Sequence, residues 1–359
     1  MDGSDPRQGL SRRRVLRLAS LAAGSAALAS ACGSPASPGS RADAGAAPTA
    51  APSSGASPAG VSRVVLIRSD DRVAGTRAAI DLLQPTGLKD RSVFLKPNYN
   101  TADPAPAATD TPLLEALVAE LRNAGAGAIT VGDRSGMADT RRAMETKGVF
   151  ALADRLGLQV LVLDELDRDG WQRVAAEGTH WPKGFAFARP ALEAGAVVNT
   201  CCLKTHRFGG DFTLSLKNSV GLVAKVVPGD PHNYMGDLHS SPHQRLMIAE
   251  INQAYSPALV LLDGVEAFVD GGPESGRKVR PGVILAGSDR VAVDVVAVAL
   301  LRSLGTTDAV ARGPLWQQEQ IRRAVELGLG AASPDQIEIV TADAAGRTMA
   351  DDLRRLMAS

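Results

Sequence analysis

Val93-Phe94-Leu95, running directly into Lys96-Pro97-Asn98, sets the terms on which the rest of the chain is read. Continuous rather than alternating apolarity marks a strand buried on both faces, as in a parallel sheet covered by helices. Proline after Lys96 disfavours helical backbone there, so the lysine sits at an extended strand end. The same pattern recurs at 64–67, 128–131, 160–163, 196–199, 259–262, 283–286 and 337–340. Helical patterns separate these runs. Asp110-Thr111-Pro112 places a cap residue before a proline at a helix start, and Leu113, Leu114, Leu117, Val118 and Leu121 follow at helical spacing until Gly125. Ser241-Pro242-His243-Gln244 reads as a capping box, and further helices are expected over 139–156, 289–304 and 315–327. The expected fold is α/β and layered, a mostly parallel sheet flanked by helices, with a long polar loop region around 203–241. No internal repeat is visible.

The 359 residues, 45% hydrophobic and 22% charged, are enough for a sizeable core. Balanced charge, with 39 basic and 39 acidic residues, gives no general nucleic-acid binder, and 4% aromatics supplies no base-stacking platform. Three cysteines cannot staple a scaffold of this size.

The zero net charge conceals an uneven start. Residues 1–31 hold five Arg and two Asp, leaving 34 basic and 37 acidic residues in the remainder. Ser11-Arg12-Arg13-Arg14-Val15-Leu16-Arg17 is a twin-arginine pattern, followed by an apolar run over 18–28 and small residues before Cys32. That is a tripartite export signal over 1–31, whose apolar run is too short to span a bilayer. Cys32, as first mature residue, suits lipid attachment, although Leu28 stands one place further away than a lipobox prefers and ordinary cleavage is the alternative. Residues 32–60 read as a flexible Ala/Ser/Pro/Gly linker and 61–359 as a single α/β domain. The expected partners are therefore the twin-arginine export machinery and, through the lipid, a membrane surface. That export route carries folded proteins, often with a cofactor already loaded.

In parallel α/β sheets, ligands bind outside the carboxyl ends of the strands. The strand ends here deliver Lys96 and Asn98, Asp133 within Gly132-Asp133-Arg134-Ser135-Gly136, Asn199, and Asp263. Singly, each is weak evidence, since Asp and Asn at strand ends usually cap turns or helices, and Asp133 and Asp263 read equally well as caps. The Gly132–Gly136 turn is neither a dinucleotide fingerprint nor a phosphate-binding loop, and no cysteine-ligated iron–sulfur motif is present. Four of five histidines, His206, His232, His239 and His243, share one stretch with Lys204, Lys217 and Asn218. Imidazoles offer proton transfer or metal ligation near neutral pH. His239 and His243 do not form a helical zinc pair, because the capping box starts a helix between them and places His243 at its second position. Cys201 and Cys202 read as buried strand-end thiols, with copper or iron ligation beside His206 the rival. Asp294 lies in a helix apolar all round, and a buried carboxylate needs a partner: Arg290 one turn earlier, or a site cation.

Taken in order, Lys96-Pro97-Asn98, Gly132-Asp133, Asn199 leading to Lys204-Thr205-His206, Thr213 to Lys217-Asn218 with Gly221, Asp263-Gly264, and Gly271-Gly272-Pro273 with Gly276 resemble the domain of unknown function 362 family. The resemblance implies an α/β fold found in exported twin-arginine proteins and in relatives fused to ferredoxin-like modules. No such module stands in this sequence, so an electron relay would need an external redox partner. The family pattern falls on Lys96, Pro97 and Asn98, on Lys204, Thr205 and His206, and on Lys217 and Asn218.

The leading expectation is an exported, lipid-tethered enzyme acting on an anionic small molecule. Lys96, Asn98, Asp133, Asn199, Lys217 and Asn218 would hold the ligand, with His206, Lys204 and Asp263 catalytic. A metal ion, if used, would draw on His206, His232, His239 and Asp294. The principal alternative is a non-catalytic periplasmic binding lipoprotein, for which capture by lysines should vary little across neutral pH. A structural envelope protein, the third reading, would have no closed pocket.

Overall fold

The computed structural model describes residues 60–358. The export signal at 1–31, Cys32 and the linker up to 59 lie outside the described residues.

Among the described residues there are twelve strands: β1 (Ser62–Arg68), β2 (Val93–Lys96), β3 (Ile129–Asp133), β4 (Gln159–Val162), β5 (Trp171–Val174), β6 (Phe185–Ala188), β7 (Ala196–His206), β8 (Asp211–Thr213), β9 (Leu259–Gly271), β10 (Gly276–Val279), β11 (Val283–Gly287) and β12 (Ile337–Val340). The helices are α1 (Arg72–Leu83), α2 (Thr111–Asn123), α3 (Thr140–Thr146), α4 (Val149–Leu156), α5 (Arg189–Glu193), α6 (Ser215–Asn218), α7 (Tyr234–Ser240), α8 (Gln244–Ile251), α9 (Arg290–Ser303), α10 (Asp308–Ala311), α11 (Glu319–Glu326) and α12 (Ala344–Met357). All eight apolar runs are strands of one sheet ordered β12-β1-β11-β9-β7-β2-β3-β4, with β10 added beside β9 and β8 beside β7. The stretch from β9 through β7, β2 and β3 to β4 is parallel, whereas β11 runs antiparallel to both β1 and β9. The fold is α/β, with a mixed but mostly parallel sheet.

Alternation along β7 explains how the two layers form. Val198 packs with Leu95, Leu114, Leu117 and Val118 on the face covered by α1 and α2. Cys201 and Leu203 point the other way, into the cluster around α9 and α12. α9 is buried from Arg290 to Leu301, and truncating one of its leucines to alanine would cost about 2–5 kcal/mol through lost transfer energy and the cavity left behind. A third cluster joins the β5–β6 ribbon to α8 and the segment around Val220. Among the described residues no helix is long and apolar enough to cross a membrane.

Three local expectations need correction. The helix expected over 139–156 is two, α3 and α4, because Gly148 adopts φ 72 between them. The Ser241–Gln244 capping box does not form. α8 begins at Gln244 with His243 as its uncapped N-cap, and Ser241 Oγ instead accepts from His243 N at 3.0 Å, so His243 is not at a second helical position. The segment 203–241 is polar but largely ordered: it completes β7 and contains β8, α6 and α7.

Candidate functional site

β7 and β9 run well past the apolar residues that announced them, and their extensions carry polar side chains above the sheet edge. Lys204 and His206 alternate along β7 on the same face as Val198, and β8 folds back to pair Lys204 with Thr213. Next to them, β2 ends at Lys96, in register with Asn199, and β3 ends at Asp133. α6 presents Lys217 and Asn218 from above. Its first turn is held by Asp294 of α9, whose carboxylate accepts from Ser215 N (2.8 Å), Ser215 Oγ (2.6 Å) and Leu216 N (2.9 Å).

These elements enclose a cavity of about 260 Å³. Its lining includes Lys96, Asn98, Asp133, Lys204, His206, Lys217, Asn218 and His239 from the sequence reading. The motif residues are not merely near one another; their amides form one directional relay. Lys204 Nζ donates to Asn98 Oδ1 (2.9 Å), and Asn98 Nδ2 donates to Asn218 Oδ1 (2.9 Å). Lys96 Nζ also reaches Asn218 Oδ1 (3.3 Å). Asn218 Nδ2 then donates to Asn199 Oδ1 (2.6 Å), and Asn199 Nδ2 ends the chain on the Ser215 carbonyl (3.0 Å). Asn199 is thus a support behind the cavity rather than part of its wall.

The electrostatics are lopsided. Lys96 is paired with Asp133 at 2.7 Å, and the other Asp133 oxygen accepts from Tyr99 N. Lys204 is fully buried with only neutral acceptors, Asn98 Oδ1 and the Ala107 carbonyl (2.5 Å). Arg134 is also buried on neutral groups, the carbonyls of Val220, Val223 and Ser135 and the Met235 sulfur. Lys217 Nζ has no hydrogen-bond or carboxylate partner among the described residues, although it lines the cavity. Burial lowers the pKa of each of Lys96, Lys204 and Arg134, the Asp133 charge opposing the effect at Lys96. Lys217 is lowered to about 7, first by burial and then by repulsion from Lys204 and Arg134.

His206 Nδ1 accepts from Gly210 N at 3.3 Å. Burial, reinforced by Lys217 and Lys204, drives its pKa far down, so the ring is neutral. With Nδ1 accepting, the proton must reside on Nε2. The neutral His206 ring lines the cavity with its Nδ1 lone pair already engaged, so it is not a free base. His239, at the mouth, has Nδ1 bonded to the Met235 carbonyl at 2.8 Å. Two glycines permit this closeness. A Cβ on Gly221 would lie 2.5 Å from Asp133 Oδ1 and 2.7 Å from Lys96 Nζ, and one on Gly210 would lie 2.8 Å from both His206 Nδ1 and Lys217 Cε.

Several expected residues lie elsewhere. Asp263 does not orient His206: it bonds Arg72 Nε (2.7 Å) and Val265 N (3.0 Å) away from the cavity, and burial raises its pKa despite Arg72. Asp294, raised to about 6 by burial against its three donors, makes no ion pair with Arg290, whose charge acts on it only from a distance; the Arg290 guanidinium bonds Asn252 and Tyr255 instead. His232 pairs with Asp237 at 2.8 Å outside the cavity. The set His206, His232, His239 and Asp294 is thus not assembled. Among the described residues no three His, Cys, Asp or Glu side chains are placed to hold a metal ion, and the surrounding cations disfavour one. Cys201 and Cys202 are buried thiols; burial pushes Cys201 well up and Cys202 to about 11, which makes neither a ready thiolate. In the Gly132–Gly136 turn, Ser135 N and Gly136 N donate to Thr140 Oγ1 and Asn100 Oδ1 and so are not free for a ligand.

The sequence reading missed Arg134 as a cavity cation, and it missed the apolar rim of Met137, Phe208 and Met235. Arg134 lay in a quoted motif, but its Val220 and Val223 carbonyl acceptors are 86 and 89 residues away and leave no local signal.

Residues 93–299, more than half of the chain, match the family described as Domain of unknown function (DUF362). The chain belongs to that family, and every residue lining the cavity falls within the matched range. A thylakoid-associated protein of Synechocystis sp. is 29% identical over 252 residues, covering 67% of this chain and 75% of that protein.

Proposed function

We propose that this DUF362 chain binds a small carboxylate- or phosphate-bearing molecule in the cavity above β2, β3 and β7. The observation that carries the reading is three buried cations, Arg134, Lys204 and Lys217, none of which makes an ion pair with a carboxylate among the described residues. Leaving a charge buried and uncompensated costs several kcal/mol, and an incoming anion would offset that cost. Arg134 and Lys204 supply positive charge, Lys217 the adjustable one, and His206 and Asn98 neutral polar groups. A cavity of about 260 Å³ suits a ligand smaller than a drug-sized molecule.

The test uses the full chain and its Lys217→Met variant in thermal denaturation, with and without phosphate and small dicarboxylates. Replacing an uncompensated buried charge by an apolar side chain should leave the unliganded protein as stable or more stable while erasing the response to anions. A variant that still responds to anions as the parent does would remove the basis of the proposal.

The leader supports a further part of the reading: export by the twin-arginine route with lipid on Cys32, which would set this cavity at the outer face of a membrane. Mass analysis of the N-terminal peptide from the native host checks it. An unmodified cysteine, or an uncleaved leader, would contradict it.

A further inference from the structure

We propose that Lys217 is a covalent site: its Nζ forms an imine with the carbonyl carbon of a small oxo acid whose carboxylate is held by Arg134 and Lys204. This rests on the anion-site reading and adds a reaction to it.

The three cavity lysines are not equivalent. Lys96 Nζ is committed to Asp133, Asn218 and the Pro97 carbonyl, and Lys204 Nζ to Asn98 and the Ala107 carbonyl. Lys217 Nζ is committed to nothing among the described residues, yet it is held by a short helix that Asp294 fixes on three hydrogen bonds. An amine becomes a nucleophile when it is desolvated beside other cations, because both conditions favour its neutral form. Lys217 meets both, and a pKa near 7 leaves much of it neutral at physiological pH. The cations that suppress its proton are also the ones positioned to bind a carboxylate, so the carbonyl next to that carboxylate would be directed at the free amine.

Gly210 brings the last component into place. The point above its Cα lies 2.8 Å from Lys217 Cε and 2.8 Å from His206 Nδ1, so the lysine terminus and the imidazole share that space. His206, neutral and with Nδ1 accepting from Gly210 N, supplies the polar wall of that space beside the lysine terminus. In the step itself the Nζ lone pair forms a bond to the carbonyl carbon and the π pair moves to oxygen. That oxygen collects the two Nζ protons and leaves as water, giving the C=N bond. No oxidant or reductant is required.

Pyruvate is the probe. The full chain is incubated with pyruvate and cyanoborohydride, then examined by intact mass and peptide mapping, with phosphate as competitor and acetone as a carbonyl lacking the carboxylate. The expected result is one carboxyethyl group on the Lys217 peptide, suppressed by phosphate, absent with acetone, and lost in Lys217→Arg. Labelling spread over surface lysines, or none at Lys217, would overturn the proposal. Thermal protection by phosphate separates the two readings. Protection without trapping defeats the imine and leaves the anion site, whereas neither protection nor trapping defeats both.

Discussion

The relay of amides makes a strong demand on Asn218, which can be tested with a change of one atom. Its side chain uses its whole hydrogen-bonding capacity: Oδ1 accepts from Asn98 Nδ2 at 2.9 Å and Lys96 Nζ at 3.3 Å, while Nδ2 donates to Asn199 Oδ1 at 2.6 Å and to the Thr200 carbonyl at 3.1 Å. Asn218→Asp keeps the shape but sets an oxygen against two acceptors. Asn199 cannot turn over in response, because its own Nδ2 is spent on the Ser215 carbonyl. A protonated Asp could still serve one of the two acceptors, so one or two buried groups lose their partner, at about 1–3 kcal/mol each. A loss of about 1–6 kcal/mol follows, set against the roughly 5–15 kcal/mol typical of a folded chain. It would be read from urea denaturation midpoints of parent and variant. The added negative charge on the cavity wall should also weaken phosphate binding by about tenfold or more, equivalent to about 1.4 kcal/mol. A loss below about 0.5 kcal/mol with unchanged phosphate binding would refute the assigned direction of the relay.

Further outcomes are expected at Lys217, Asp294 and Asp263. Lys217 titrates near pH 7, so anion affinity measured by calorimetry should fall as pH rises through neutrality, contrary to the flat profile expected of lysines with ordinary pKa values, and Lys217→Met should flatten it. The stability effect has the opposite sign: between about 7 and the ordinary 10.5 the unfolded chain binds the extra proton, so the unliganded protein gains stability across that window as pH rises. Asp294→Ala strands three donors and should cost about 3–5 kcal/mol and blunt the thermal response to phosphate, whereas Asp263→Asn should lower stability by about 1–3 kcal/mol and leave that response intact.

The strands of the large sheet that were legible are those whose apolar runs are continuous, since burial on both faces writes itself into the sequence. What escaped was structure imposed by distant partners. Leu203 to His206 continue β7 although they open the stretch read as a polar loop, because β8 and β9 pair with Lys204 on either side. α1 buries Gly75, Thr76, Ala79 and Ile80, a small-residue face with little hydrophobic contrast; at Gly75 even a Cβ would come within 2.9 Å of Ile284. The β5–β6 ribbon lacks a tight-turn signature between Val174 and Phe185. In the site, the lysine and asparagine motifs were found because their types are unusual at strand ends. The buried state of Asp294 was equally clear, but its true partner, Ser215, stands 79 residues away and could not be chosen over Arg290 from spacing.

The direction of the amide relay also bears on what the pocket can become. Its last acceptor is a main-chain carbonyl, at Ser215, which no substitution can turn into a donor. Reading back from that carbonyl, each amide in turn must face its oxygen towards the lysines. The sign of charge this pocket tolerates is thus anchored in the backbone, while the rim formed by Met137 and Phe208 is free to vary. Changes at the rim would alter which anion enters, and a cation site would require rebuilding α6 itself.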